Sequence, residues 1–161
     1  MLTSTTIDSP VGELTLVNSD GVLSRLSMGD RASAPPGERV SRGFERAIEE
    51  LSEYFAGERL AFTVPLAPRG DAFQHRVWGL LRGIPFGQTR SYGDLARDLG
   101  DRALARAVGV ANARNPIGII VPCHRVVGSD GSLRGYAGGV ERKRYLLGLE
   151  ASVADYASML F

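Results

Sequence analysis

Cysteine is almost absent from this chain: Cys123 is the only one in 161 residues. A lone cysteine cannot pair within its own chain, so the sequence is not that of a disulfide-stapled secreted domain. Histidine is nearly as scarce, at His75 and His124. One cysteine and two well-separated histidines make no plausible zinc set, and we expect no metal. No apolar run approaches the ~20 residues needed to span a bilayer, so no membrane partner is expected. The N-terminus, MLTSTTIDSPVGELTLV, lacks a basic start, an uninterrupted apolar core and a small-residue cleavage site. It does not read as a secretory signal, and the expected location is the cytoplasm. There is no internal repeat and no low-complexity stretch.

The apolar fraction of 43% and charged fraction of 23% are those of a globular protein. The length suits one ordinary domain or two small ones. A net charge of +1 hides an asymmetry. Residues 1–70 carry 7 Arg against 10 Asp or Glu, a balance of −3; residues 71–161 carry 12 Lys or Arg against 8 Asp or Glu, a balance of +4. Such a split is compatible with an ordinary solvated surface, and equally with a basic half that meets a polyanion.

The first part reads as β-rich. Ser4–Ile7, Glu13–Asn18 and Val22–Met28 are short, partly alternating runs, and the Asp20-Gly21 pair favours a tight hairpin turn. A polar loop follows from Arg31 to Glu38. Phe44, Ile48, Leu51 and Phe55 recur at helical steps, which predicts a helix over Ser41–Phe55 stopped by Gly57. Ala61–Leu66 fits one more strand, and Pro65–Gly70 reads as a linker. From Asp71 the pattern turns helical. Asp71 caps a helix carrying Phe73, Val77, Trp78 and Leu81, which ends before Pro85. Ser91 opens a short helix through Leu99, Gly100 breaks it, and a second helix runs from Arg102 to Asn112. Two short helices about a glycine turn fit a helix-turn-helix, although most such pairs are simply packed helices. Asn115-Pro116 forces a turn, Ile117–Val121 reads as a buried strand, Ser129-Asp130-Gly131 signals a hairpin, and a last helix runs from Val140 to near Glu150.

Cys123 ends the apolar run and is followed at once by His124 and Arg125. Most lone cysteines in such a place are buried filler. Here Pro122 fixes the backbone before the thiol, while His124 brings a base and Arg125 a permanent positive charge. Both would lower the free energy of forming the thiolate, which is the nucleophile. Neighbours on a turn need not face each other, so a direct Cys123–His124 contact and a bridging water are equally compatible with the sequence. His75 reads as an exposed helix residue.

The string Ile120-Val121-Pro122-Cys123-His124-Arg125-Val126-Val127 resembles the active-site signature of the O6-alkylguanine-DNA alkyltransferases. So do Ser91-Tyr92-Gly93, Ala105-Arg106-Ala107-Val108-Gly109, Asn115-Pro116, Gly135-Tyr136-Ala137-Gly138-Gly139 and Leu146-Leu147 before Glu150, in that order over about ninety residues. The resemblance implies an α/β protein in two parts. Residues 1–67 would form a small ribonuclease H-like sheet-plus-helix domain. Residues 71–161 would form a mostly helical domain with the helix-turn-helix and the active site. It also implies a reaction: O6-alkylguanine is flipped out of double-stranded DNA, and its alkyl group passes irreversibly to Cys123, with no cofactor and one turnover per molecule. O4-methylthymine would be a second substrate. The protein would bind through the minor groove as a monomer, with cooperative binding along DNA within the family's range.

Residue by residue, the resemblance makes Cys123 the nucleophile, His124 its base through a water, and Glu150 the group that orients the imidazole. Asn115 would tie the turn between recognition helix and active site. Tyr92 would push on the target phosphate and donate to guanine N3. Arg106 would fill the gap left by the flipped base, with Ala107 and Gly109 allowing close approach to the groove and Arg125 adding to the DNA-binding set. Val126, Tyr136 and Ala137 would line the substrate pocket. Three readings compete with repair: an alkyltransferase-like protein that binds the lesion without catalysis, a cysteine hydrolase, and a transcription regulator.

Overall fold

The computed structural model describes residues 1–29, 35–133 and 135–160, with the side chain of Leu160 left aside. The start of the polar loop at Arg31–Ala34 therefore lies outside the described residues. The chain is a mixed α/β protein that divides into two compact units, one of residues 1–69 with 116–120 and one of residues 70–115 with 121–161.

The first unit is built on a four-stranded sheet in the order β3-β2-β1-β4. Its strands are β1 Leu2–Ile7, β2 Leu14–Ser19, β3 Val22–Met28 and β4 Glu38–Arg39. β1–β2 and β2–β3 are antiparallel, whereas β4 runs parallel to β1. The β2–β3 hairpin turns at Asp20 and Gly21, with φ of 49° and 83°, the left-handed pair that the Asp-Gly signal requires. Helix α1 covers Glu45–Phe55, starting later than expected. Gly43 at φ 97° redirects the chain there, and its N–H is held by the Glu45 carboxylate at 3.0 Å. α1 buries Ala47, Leu51 and Tyr54 on one face.

Two expected strands are not formed. In Ala61–Leu66 the N–H groups of Thr63 and Val64 go to the buried Glu50 carboxylate, at 2.9 and 3.1 Å, leaving only a single bridge from Leu66 to Leu23. Ile117–Val121 is fully buried but irregular. It makes one bridge, Ile117 to Leu26, and then turns sharply: Ile119 has φ 70° and Ile120 N–H bonds Gly118 O at 2.8 Å. That is a γ-turn about a β-branched residue, a rare and strained geometry.

The second unit is mostly helical. α2 covers Ala72–Arg82, and its Asp71 cap forms a reciprocal box with Gln74. α3 covers Tyr92–Asp98 with the same box between Ser91 and Asp94. Gly100 at φ 104° ends α3; one 3₁₀ turn over Arg102–Leu104 leads into α4, Ala105–Ala113. Short strands β5 Arg90–Ser91 and β6 Val126–Val127 pair in parallel, so that Tyr92 and the segment after Cys123 start from one ladder. Because β6 pairs with β5, Ser129-Asp130-Gly131 closes a turn between Gly128 and Ser132 rather than a hairpin. The last helix, α5, runs Val140–Leu160, well past Glu150.

Candidate active site

The backbone presents Cys123 through two consecutive tight turns. Pro122 has φ −82° and ψ 65°, and Cys123 N–H bonds Val121 O at 2.8 Å. This is an inverse γ-turn, which proline's ring favours by fixing φ. Cys123–Arg125 then form one 3₁₀ turn, closed by Val126 N–H to Cys123 O. Asn115, just after α4, donates its side-chain amide to Val121 O at 2.7 Å and to the Cys123 sulfur. The cysteine is buried, at 5% exposure. Burial pushes its thiol pKa up; the Asn115 hydrogen bond and the positive charge of Lys143 oppose that rise.

His124 is wholly buried and its Nε2 lies 2.7 Å from Glu150 Oε2. Burial drives the Glu150 carboxyl upward, but hydrogen bonds from His124 and Arg125 prevail and hold its pKa at about 2. Glu150 is thus ionised at neutral pH and can only accept, which assigns the imidazole proton to Nε2. Burial lowers the His124 pKa, so the ring is neutral and carries its lone pair on Nδ1. Nδ1 is buried with no hydrogen-bond partner. A neutral imidazole oriented by a carboxylate, with its second nitrogen buried and unpartnered, has what a general base requires.

Arg125 departs from expectation. The resemblance implies a DNA contact, but the side chain is 6% exposed and faces inward. Its Nε and Nη2 reach the two Glu150 oxygens at 2.8 and 3.0 Å, and its Nη1 donates to Ile84 O at 2.7 Å. The guanidinium lies 5.7 Å from the Phe86 ring centre. With these donors committed, the side chain is a buried counter-ion for Glu150. Two further residues of the site went unnoticed in the sequence. Lys143, the only lysine, is fully buried and donates to Val126 O at 2.6 Å. Asn112, 1% exposed, donates to Cys123 O at 3.4 Å. The signal for Lys143 was its rarity beside 18 arginines; for Asn112 it was its place one turn before Asn115.

A second cluster lies on the surface of the same unit. Tyr92, Arg106, Gly109, Val110, Ala113 and Gly135 line an open cleft of about 500 Å³. Arg106 and Ala107 are exposed on α4. Gly135 has φ 70°, and a Cβ there would meet the Tyr92 hydroxyl at 2.9 Å. Among the remaining expected pocket residues, Val126 and Tyr136 are buried and Ala137 is exposed. Burial raises the Tyr136 phenol well above its ordinary value, so it remains a donor. His75 is exposed, as expected. Among the described residues no His, Cys, Asp and Glu side chains gather in threes that could hold a metal ion.

Residues 2–68 match the family model of the 6-O-methylguanine DNA methyltransferase ribonuclease-like domain, and residues 72–152 that of the 6-O-methylguanine DNA methyltransferase DNA binding domain. The chain belongs to the 6-O-methylguanine DNA methyltransferase family. Within this methyltransferase family it is 48% identical to the methylated-DNA–protein-cysteine methyltransferase of Mycolicibacterium paratuberculosis, covering 100% of this chain and 99% of that one. It is 41% identical to the constitutive enzyme of the same description from Bacillus subtilis, over 91% of this chain and 93% of that one. The crystal structure of Mycobacterium tuberculosis OGT in complex with DNA superposes with a TM-score of 0.88 at 51% identity, covering 94% of each chain. The ribonuclease-like model falls on the sheet-bearing N-terminal part and the DNA-binding model on the mostly helical C-terminal part.

Proposed function

We propose that this methyltransferase-family chain repairs O6-alkylguanine in double-stranded DNA by taking the alkyl group onto Cys123, once per molecule. The observation that carries this reading is the His124 ring, bonded at Nε2 to an ionised Glu150 and unpartnered at Nδ1, beside a buried thiol. The thiol proton passes through a bridging water to Nδ1. The Cys123 sulfur forms a bond to the alkyl carbon as the carbon–O6 bond breaks. Tyr92 donates a proton to guanine N3, so that the base leaves neutral and the thioether remains; the proton held on His124 then returns through water to the Tyr92 phenolate, which closes the balance. Glu150 supports the imidazolium, and Arg125 keeps Glu150 ionised. Raising of the thiol pKa by burial favours this route, because a base is needed to take the proton.

Base flipping is required because the target atom is inside a base pair. The exposed α4 face of Arg106 and Ala107, with the adjoining cleft at Tyr92 and Gly109, fits the minor groove, and Arg106 fills the gap left in the stack. Partners Val126, Tyr136 and Ala137 complete the pocket for the flipped base. Asn115 links the end of α4 to the turn that carries the thiol. In this reading residues 1–67 form the supporting domain and residues 71–161 the DNA-binding and transfer domain. The protein works as a cytoplasmic monomer that can bind cooperatively along DNA. O4-methylthymine, with the same alkylated lactim oxygen, is a second substrate. The relative solved in complex with DNA supports DNA as the partner.

The test is incubation with a duplex oligonucleotide bearing one O6-methylguanine, followed by intact mass and peptide mapping. One methyl on Cys123 and a burst that stops at one equivalent are expected. Tight binding without a mass change would instead indicate a lesion-binding protein. Continued product release would indicate a hydrolase.

A further inference from the structure

The covalent path from α4 to Cys123 is a detour. Residues 116–120 cluster with the first unit, and the chain passes γ-turns at Ile119 and at Pro122 before it reaches the thiol. Such a path is a poor means of fixing the sulfur against the helix. Side chains from the end of α4 supply a shorter one. Asn115 donates to Val121 O on one side of Pro122, and Asn112 donates to Cys123 O on the other. The same turn of α4 is anchored from α2, where Trp78 Nε1 donates to Ala111 O at 2.9 Å.

Asn112 is an unexpected residue for its position. It occupies the inner face of α4 with Val108 and Ala111, where an apolar side chain would pack without polar loss. Its Oδ1 is buried and has no hydrogen-bond partner, an unfavourable state that a leucine would avoid. The benefit lies in its Nδ2. With Val126 N–H it fills both acceptor positions of the Cys123 carbonyl, and so fixes the peptide plane from which the sulfur projects. We propose that Asn112 is a positioning residue for alkyl transfer, clamping the Cys123 peptide to the end of α4 so that the helix and the nucleophile move as one body. This rests on Cys123 being the nucleophile and α4 the helix that meets DNA.

The experiment uses the full chain with Asn112→Leu and, as a smaller replacement, Asn112→Ala. Each is assayed for single-turnover methyl transfer from an O6-methylguanine duplex, and separately for alkylation of Cys123 by iodoacetamide across pH. Iodoacetamide needs an accessible thiolate but little orientation. Loss of one neutral hydrogen bond should slow duplex transfer about three- to tenfold in both variants. DNA affinity and the iodoacetamide pH profile should stay within about twofold of wild type. Transfer at the wild-type rate would overturn the proposal. So would a changed iodoacetamide rate, because a residue that merely holds the fold together exposes the 5% accessible thiol when removed. A wild-type chain that gains no methyl on Cys123 would instead defeat the underlying reading, and the two failures are told apart by that control.

Discussion

Glu150 accepts hydrogen bonds on both oxygens, from His124, twice from Arg125, and from Gly87 N–H at 3.2 Å. Buried charges of this kind contribute little net stability as a set, but removing one member leaves the other uncompensated and costs about 3–5 kcal/mol. Glu150→Gln should therefore lower the unfolding free energy by about 3 kcal/mol in denaturant titration, leaving Arg125 charged and unpaired. The same variant should slow alkyl transfer while DNA affinity hardly changes; an unchanged rate would make Glu150 structural only. The pH dependence follows from the same groups. Glu150 titrates near 2 when folded against 4.5 as a free carboxyl, so its stabilisation is complete above about pH 4.5 and is lost as pH falls toward 2. The buried His124 is held below its ordinary 6.5. The unfolded chain therefore takes up that proton first, and stability starts to decline below pH 6.5. Alkyl transfer should likewise hold steady from neutral pH to 6.5 and lose its base only below; a rate halved already at pH 7 would contradict a neutral, buried imidazole. Sequence made Cys123 and His124 visible by adjacency. It could not tell that Arg125, the next residue, turns inward, because the direction of a side chain on a 3₁₀ turn depends on what packs around it. Glu150, 26 positions from His124, was recognised only through the resemblance to known relatives.

Elements whose ends are written in local hydrogen bonds were legible. The Asp71–Gln74 and Ser91–Asp94 boxes fix two helix starts to the residue, and the Asp20-Gly21 turn fixes a hairpin. The apolar run before Cys123 was not, since a buried strand and a buried series of γ-turns have the same composition. The continuation of α5 to Leu160 was missed because residues 151–160 lack a strong apolar period, although they contain no helix breaker. Within the interface element, α4 presents Arg106 outward. Arg106→Ala should slow repair in duplex DNA far more than transfer from free O6-benzylguanine; equal losses would reject a role in filling the gap in the stack. Gly135 bears on the same cleft. A methyl group there would strain a backbone at φ 70° and press on the Tyr92 hydroxyl. Gly135→Ala should therefore reduce transfer from both substrates, whereas Gly109→Ala, whose Cβ would lie 3.8 Å from the Tyr92 ring within α4, should leave the folded structure unchanged and melt no lower than the wild type.

At the scale of the whole chain, a protein that reacts once must accommodate its own product. Cys123 is 5% exposed, and its neighbours Val121, His124, Val126 and Tyr136 are all buried. Methylation replaces a small thiol with a larger thioether in that packed surrounding, while removing a proton donor. Adding a methylene-sized group to a close-packed core typically destabilises it by about 1–3 kcal/mol. For a chain of this length, each kcal/mol moves the melting temperature by about 2–4 °C. The methylated protein should accordingly melt several degrees below the unreacted one, with the loss greater for ethyl or larger groups. Differential scanning calorimetry before and after one equivalent of lesion-bearing duplex, with the DNA removed, measures this directly. An unchanged midpoint would mean that the site already holds space for the transferred group. In that case the burial of the thiol in the unreacted chain reflects a cavity closed at its mouth rather than a filled one.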